Sequence, residues 1–512
     1  MSEKKSLKLN FIMNAILTMS AFIFPLISFP YVSRILLPEG TGKVSFATSV
    51  VSYFLMFAQL GIPTYGVRAC AKVRDDKRKL TKTAHELLII NLVMMVLSYV
   101  LLFGLIFVPH LLQGLLLSCD PRNAVVGGLL RFCDAVSKLY DERVLFLVIS
   151  TTIFFTTIGM EWLYKALEQY TYIAVRSIIF KAVSLVAMFL LVHQKDDYVI
   201  YGGISILASS ASFVMNFFHA RKYIYMRPMG GYSFRPHLKA VAIFFAMACA
   251  STIYTNMDTV ILGFMATDTD VGYYNAAVRI KSILVSIVTS LGTVLLPRAS
   301  YYVERGRMEE FRNISRKALE FVFVAALPMA LYFILFARDG IFLLSGAEYE
   351  GAILPMQFIM PTLLFIGLSN ILGIQILVPM GKEKIVLYSE IAGAVVDVVC
   401  NLVLIPHYAA MGAAISNMIA EASVLLVQFI ALRHEVVGSF RKIQYWKLLL
   451  GAAAGTGLSF WVAGLALSSL QSLMLSAVLF FVAYGLVLLV LKEQLVFEVL
   501  GQMLQKLKRR DR

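Results

Sequence analysis

Residues 1–10 read MSEKKSLKLN, and residues 11–30 read FIMNAILTMSAFIFPLISFP, twenty positions without a charge. Twenty residues in a helix rise about 30 Å, the thickness of a bilayer's hydrocarbon core. A basic start before an apolar run also opens a signal peptide. This run is too long for that, contains Asn14, Pro25 and Pro30, and offers no small-residue cleavage site, so it reads as an uncleaved first span. Thirteen further apolar windows follow, at approximately 44–61, 87–108, 144–160, 172–192, 198–218, 240–264, 271–296, 318–337, 353–379, 385–405, 408–432, 447–467 and 472–491.

Composition agrees with that reading. Of 512 residues, 59% are apolar and 15% charged, and the mean hydropathy is +0.78. Soluble chains have about 45–50% apolar and about 25% charged residues. A soluble enzyme, a nucleic-acid-binding module and a single-span receptor are excluded, and the net charge of +15 is no nucleic-acid footprint. The basic residues report topology instead. With the N-terminus in the cytoplasm, and Lys447 counted with the loop before it, cytoplasmic segments hold 34 Lys and Arg and opposite segments 8. That asymmetry follows the positive-inside rule, and one miscounted span would invert every later loop. The expectation is an all-α membrane protein of 14 transmembrane helices, with both termini cytoplasmic.

An internal repeat divides the spans. Pro63 and its charged run at 72–79 correspond to Pro297 and the charged run 304–317, while Arg176 of span five falls against Glu390 of span eleven. The smaller offset of the second pair leaves extra chain in the first half, in the outer loop 109–143. Two six-span halves with two appended spans are the plan of many secondary transporters, with the substrate site between the halves. The expected lobes are 1–220 and 240–435, joined by a cytoplasmic linker at 221–239 and followed by spans thirteen and fourteen with a basic tail at 436–512.

Ionisable residues inside a span are costly and face protein or a wet cavity. Arg176 and Lys181 lie in span five, Asp258 in span seven, Arg279 and Lys281 in span eight, Glu390 and Asp397 in span eleven, and Glu421 in span twelve. The basic residues suit an anionic substrate, since an arginine fork matches phosphate oxygens. The blander reading is snorkelling or mutual pairing, easiest for Arg176 and Lys281 near span ends. Glu390, Asp397 and Asn401, at i, i+7 and i+11, share one helix face, with Gly393 leaving room beside it. A proton- or sodium-responsive carboxylate and a packed interhelical network both fit that face. Asp258, Glu390, Asp397 and Glu421 are thus the ion-coupling candidates.

Other features carry less. Glu161, Trp162 and Tyr164 at the end of span four read chiefly as interfacial belt residues. Pro25, Pro30, Pro355 and Pro361 can bend spans one and ten. Cys119 and Cys133 both fall in the outer loop, where an oxidising compartment would allow them to pair. No metal-ligand spacing, phosphate-cradling glycine loop or nucleophile motif is present, so neither a metal, a cofactor nor an enzymatic activity is expected.

FPYVSR at 29–34, GKVSF at 42–46, GIPTYGVR at 61–68, GMEWLY at 159–164 with Glu168, and the run from Asp397 through Asn401, Pro406 and Gly412 to Glu421 together resemble the Wzx-type polysaccharide (O-antigen) flippases. That family belongs to the multidrug/oligosaccharidyl-lipid/polysaccharide exporter superfamily, with lipid II flippases and multidrug antiporters. The resemblance implies two six-helix bundles around a central cavity. It also implies movement of a polyprenyl-diphosphate-linked oligosaccharide from the inner to the outer leaflet of the cytoplasmic membrane, for surface polysaccharide biosynthesis. Membrane lipids, a polysaccharide polymerase and chain-length proteins are the implied partners. The candidate diphosphate-binding residues are then Arg279, Lys281, Arg176, Lys181 and, within FPYVSR, Arg34. The 109–143 loop departs from the family pattern. An organic-cation antiporter of the same superfamily is the main alternative, although it should concentrate carboxylates where spans five and eight carry basic residues. A membrane glycosyltransferase would need larger outer loops, and a scaffold would need no buried charge.

Overall fold

A computed structural model describes residues 7–116, 124–465 and 467–497. Among the described residues the secondary structure is helical, without strands. In chain order the helices are α1 (Leu7–Gln59), α2 (Ile62–Ala71), α3 (Lys77–Leu116), α4 (Ala124–Asp141), α5 (Arg143–Gly159), α6 (Glu161–Ala166), α7 (Tyr170–Leu191), α8 (Tyr198–Ile206) and α9 (Phe213–His219). They continue with α10 (Arg235–Met265), α11 (Asp268–Glu304), α12 (Met308–Leu335), α13 (Ala337–Ser345), α14 (Ile353–Ile359) and α15 (Thr362–Asn370). The last are α16 (Glu383–Lys442), α17 (Tyr445–Ser459) and α18 (Ser469–Val490). Short π-helical stretches occupy Leu207–Ala211 and Ile371–Leu377. Contacts divide the chain into two compact units, 1–272 and 273–512. In the first, α1 packs on α3, α5, α7, α8 and α10; in the second, α16 packs on α14, α15 and α12.

Among the described residues nine helical stretches are long and apolar enough to cross a membrane, or ten counting one bent pair. The two longest are each interrupted. α16 has 60 residues, about 90 Å if straight, roughly three times the hydrocarbon thickness. Its path breaks at Ala409 (φ 46°, ψ −124°), three residues after Pro406. A Cβ on Gly412 would lie 2.5 Å from the Leu404 carbonyl oxygen, so only glycine permits that close return. α1 breaks likewise at Leu37 (φ 60°), ahead of Pro38. The bent pair, Ala347–Ile359 and Thr362–Leu377, turns by 43° at Met360 and Pro361, as the prolines of that span lead one to expect.

Side chains sort as they do in lipid. On α3, Val93, Val96 and Val100 are about 60% exposed, whereas Asn91 and Ser98 are fully buried. Apolar residues gain nothing by turning inward from hydrocarbon, so small and polar ones mark the packed face. Asp76 caps α3, accepting from the backbone N–H groups of Lys79 (3.1 Å) and Arg78 (2.9 Å), and these bonds hold its carboxyl below the usual range.

Two readings of the sequence are corrected here. Trp162 and Tyr164 are not interfacial belt residues; they are 3% and 0% exposed. Met160 in the left-handed region (φ 42°) ends α5 and swings α6 inward, where the Trp162 ring lies 2.9 Å from the position of a Cβ on Gly66. Among the described residues the 109–143 segment is mostly helix rather than loop. α3 continues through Pro109 to Leu116, and α4 returns along it, held by the His110–Tyr140 ring stack (centroids 3.6 Å) and by Gln113 donating to Asp134 (2.7 Å). Cys133 is buried on α4; Cys119 lies outside the described residues.

Candidate functional site

In the first unit, the in-span charges take separate surroundings. Arg176 on α7 is 4% exposed. Its guanidinium donates to the Glu161 carboxylate at 3.0 Å and to the Asn216 side-chain oxygen, and lies 4.8 Å from the Phe213 ring centroid. Asn216 in turn donates to the Gly159 carbonyl (2.8 Å), and Tyr164 donates to the Asn216 carbonyl (2.6 Å). Arg176 thus joins α5, α6, α7 and α9. These contacts are of the kind the mutual-pairing alternative expects, with the Arg176 Nε buried outside them. The α6 turn made by Met160 is what brings Glu161 within reach.

Lys181, one turn further along α7, is half-buried and donates to Ser20 of α1 at 3.0 Å. Arg34 is exposed on α1, and its guanidinium donates back to the Pro30 carbonyl one turn earlier. Asp258 on α10 is 5% exposed, beside the equally buried Thr259. Arg176 and Lys181 thus meet different partners, Glu161 and Asn216 for the one and Ser20 for the other.

In the second unit, Arg279 and Lys281 sit on α11 past Gly272, Ala276 and Ala277, and both are half-buried. Lys281 donates to the Asn417 side-chain oxygen of α16 at 2.9 Å. Asn417 sits one turn before Glu421, which is 7% exposed. The helix half after the Ala409 break thus presents an amide and a carboxylate on one buried strip with Ser416, Ala420 and Val424. The half before it buries Ser389, Gly393, Asp397 and Asn401. Asp397 is 1% and Asn401 0% exposed, but Glu390 is exposed. The expected shared face of Glu390, Asp397 and Asn401 is consequently split: the buried strip starts from Ser389, which accepts from Gln428 at 3.0 Å.

Sequence reasoning passed over one buried assembly. The Glu86 carboxylate meets His237 Nε2 at 2.9 Å and accepts from the Ser233 backbone N–H at 2.7 Å, while His237 Nδ1 meets the Tyr65 hydroxyl at 2.8 Å. Glu86 is 5% and His237 9% exposed. Both lie just outside apolar windows, where the charged flanks read only as topology signal. Asn216 and Asn417 were also missed, because an amide is polar but carries no charge to mark it as costly in lipid.

The two units each carry cations within apolar helices, buried carboxylates and small-residue helix faces. Such features suit binding and movement of a charged solute. Among the described residues no group of three or more His, Cys, Asp or Glu is placed to hold a metal ion.

Comparison with known proteins agrees on fold and kind. The chain is 24% identical over 437 residues to the "Putative O-antigen transporter" of Escherichia coli (strain K12), covering 84% of this chain and 98% of that protein. It is 24% identical over 441 residues to the protein of the same name from Shigella dysenteriae, covering 84% and 100%. The structure is similar to that of the lipid II flippase MurJ in an inward closed conformation, with TM-score 0.65, 14% identity, and coverage of 94% of this chain and 100% of that one. It is also similar to an outward-facing multidrug resistance MATE family transporter of the MOP superfamily, with TM-score 0.51, 14% identity, and coverage of 85% and 96%. The MatE family model matches residues 242–403. The model of the polysaccharide biosynthesis protein family matches residues 7–303, more than half of the chain, and this multi-pass membrane protein belongs to that family.

Proposed function

We propose that the protein flips polyprenyl-diphosphate-linked oligosaccharide units from the inner to the outer leaflet of the cytoplasmic membrane by alternating access. The family match over residues 7–303 carries this reading, together with near full-length similarity to proteins named as O-antigen transporters. A diphosphate headgroup needs cations at membrane depth, and Arg279 and Lys281 supply two on one helix. Arg279 has the fork that matches phosphate oxygens. Lys181 and Arg34 are further candidates for the headgroup's path. Arg176, already matched by Glu161, is assigned to the scaffold of the first unit. Asp397, Glu421, Asp258 and Glu390 remain the carboxylates proposed to couple an ion to the cycle.

The proposed topology has fourteen crossings with both termini cytoplasmic, two lobes at 1–220 and 240–435, and two further spans. The breaks at Leu37 and Ala409 support the count, since each divides a stretch too long for one crossing. Product would pass to a polymerase and chain-length proteins. A second reading, an organic-cation antiporter, draws on the MatE match at 242–403, which contains Asp258 and Asp397.

The test is translocation of the lipid-linked repeat unit in vesicles, with protein level measured alongside. Arg279→Lys should reduce transport partly, and Arg279→Glu should abolish it while the protein still inserts. Full transport by the Glu variant would remove Arg279 from the headgroup's path. Transport of organic cations without the lipid-linked substrate would favour the second reading.

A further inference from the structure

The chain between Lys222 and Arg235 is laid along the first turns of α3. Lys77, Thr81 and His85, at i, i+4 and i+8, present successive turns of one face of that helix. The Lys77 ammonium sits 4.7 Å from the Tyr225 ring centroid, and the Thr81 hydroxyl accepts from the Tyr225 backbone N–H at 3.2 Å. His85 Nδ1 meets the Tyr232 hydroxyl at 3.1 Å. Gly230 and Gly231, both at positive φ, turn the chain between these contacts, and the Tyr232 hydroxyl accepts from the Met229 N–H at 3.0 Å. Glu86 ends the row, holding the Ser233 N–H with one oxygen and His237, in the first turn of α10, with the other. Beneath these bonds Ile224 and Val241 pack with Leu80, Ala84 and Leu87.

The same contacts anchor the start of α10. Val241 is 1% and Asp258 5% exposed, whereas none of residues 242–257 is buried. The far end of α10 has its own anchor, with Gly263 against the Phe46 ring and its carbonyl bonded to Lys138 at 2.8 Å. A helix packed at its ends and loosely between them opens at whichever anchor is weaker. The close fit of Gly263 on Phe46 cannot part without repacking buried side chains. The anchor at His237 is made chiefly of hydrogen bonds, whose partners water can replace.

We propose that residues 223–237 form a strap that fastens the start of α10 to α3, with Glu86 as its main tie, and that the strap lets go during transport so that the first half of α10 moves. The measurement is amide hydrogen exchange by mass spectrometry on the full-length protein in detergent. Glu86→Ala should speed exchange by about tenfold or more, the loss of a charge-assisted bond, at Ser233 and also at Tyr225, Met229 and residues 238–245. Residues 258–265 should keep the wild-type rate. Glu86→Gln, whose side chain still accepts from Ser233, should keep most of the protection. Thr81→Val, at the other end of the strap, should speed the same amides and decides the matter where Glu86→Ala fails to fold. Faster exchange confined to the amide that each variant's own side chain bonds, or no change at all, would overturn the strap. Its letting go is tested by His85→Cys with Tyr232→Cys in a cysteine-free background, joined by a short bis-methanethiosulfonate linker. The joined protein should lose vesicle transport of the lipid-linked unit by tenfold or more, and reductant should restore it. Full transport by the joined protein would overturn the release. This second arm rests on the proposed transport activity: no transport by the unjoined protein would count against that activity, and the exchange rates would still decide the strap.

Discussion

Lys138 of α4 lies 2.7 Å from Asp268, in the corner between α10 and α11, and also donates to the Gly263 carbonyl at 2.8 Å. Its ammonium sits 4.8 Å from the Phe46 ring centroid as well. The segment that departs from the family pattern thus reaches the corner just before Tyr273, where the second unit begins. The approach to Asp268 is an ion pair rather than a well-directed hydrogen bond, since the same carboxylate oxygen has no bond of good geometry. The side chains are 25% and 16% exposed, so water screens the pair only in part.

Lys138→Met and Asp268→Asn should each lower the melting temperature, and the double variant should lower it by less than their sum. The coupling expected for a partly exposed pair is about 1 kcal/mol. Additive losses would mean that the two charges do not act on each other.

The same corner is closed by glycines. A Cβ on Gly42 would fall 1.7 Å from the Asp268 carbonyl oxygen, and one on Gly272 would fall 2.1 Å from the Pro38 carbonyl oxygen. Both obstacles are backbone and cannot rotate away. Gly42→Ala and Gly272→Ala should each destabilise the protein by at least about 1–3 kcal/mol. Gly104→Ala, where nothing lies within 4 Å, should be neutral or mildly stabilising. Thermal unfolding in detergent separates these outcomes.

Arg176→Ala removes the donor shared by buried Asn216 and by Glu161, which is 22% exposed and keeps Lys165 at 2.8 Å. The expected destabilisation is about 1–3 kcal/mol, read as lost membrane-inserted protein rather than as a slower transporter at normal level. Reversing the pair, Arg176→Glu with Glu161→Arg, should recover part of the protein level. Normal level with abolished transport in Arg176→Ala would return this residue to the substrate path.

Single cysteines placed near Asp268 and Ser469, in a cysteine-free background, should react with an impermeant thiol reagent from outside. Cysteines near Arg227 and Arg441 should not. External labelling of the second pair would overturn the fourteen-crossing topology, because it would reverse the side assigned from loop charge.

The membrane class was legible in residues 11–30 and in the windows after them, since a hydrocarbon environment imposes twenty-residue apolar runs whatever the packing. Loop charge was legible for the same reason, as it is a local property of each connection. The breaks at Leu37 and Ala409 were less so: Pro38 and Pro406 mark the neighbourhoods, but the positive φ falls on residues that rarely adopt it. The in-span charges were found by their cost in lipid, yet their roles could not be separated that way. Arg176 and Lys181 look alike in sequence; Arg176 has the Glu161 carboxylate at 3.0 Å, while Lys181 donates to a serine hydroxyl.

Sequence by itself therefore determined the solvent this protein folds in, its helical class and its family, because each depends on residues read one after another or in ordered motifs. Tertiary structure decided which charges are matched. Glu161 reaches Arg176 only because Met160 turns the chain, Lys281 meets Asn417 only because α16 folds back at Ala409, and Lys138 meets Asp268 only because α4 returns along α3. Each pairing joins segments far apart in the chain or separated by a turn, and a Coulomb interaction of a few ångströms is set by where the backbone goes, which hydropathy does not encode.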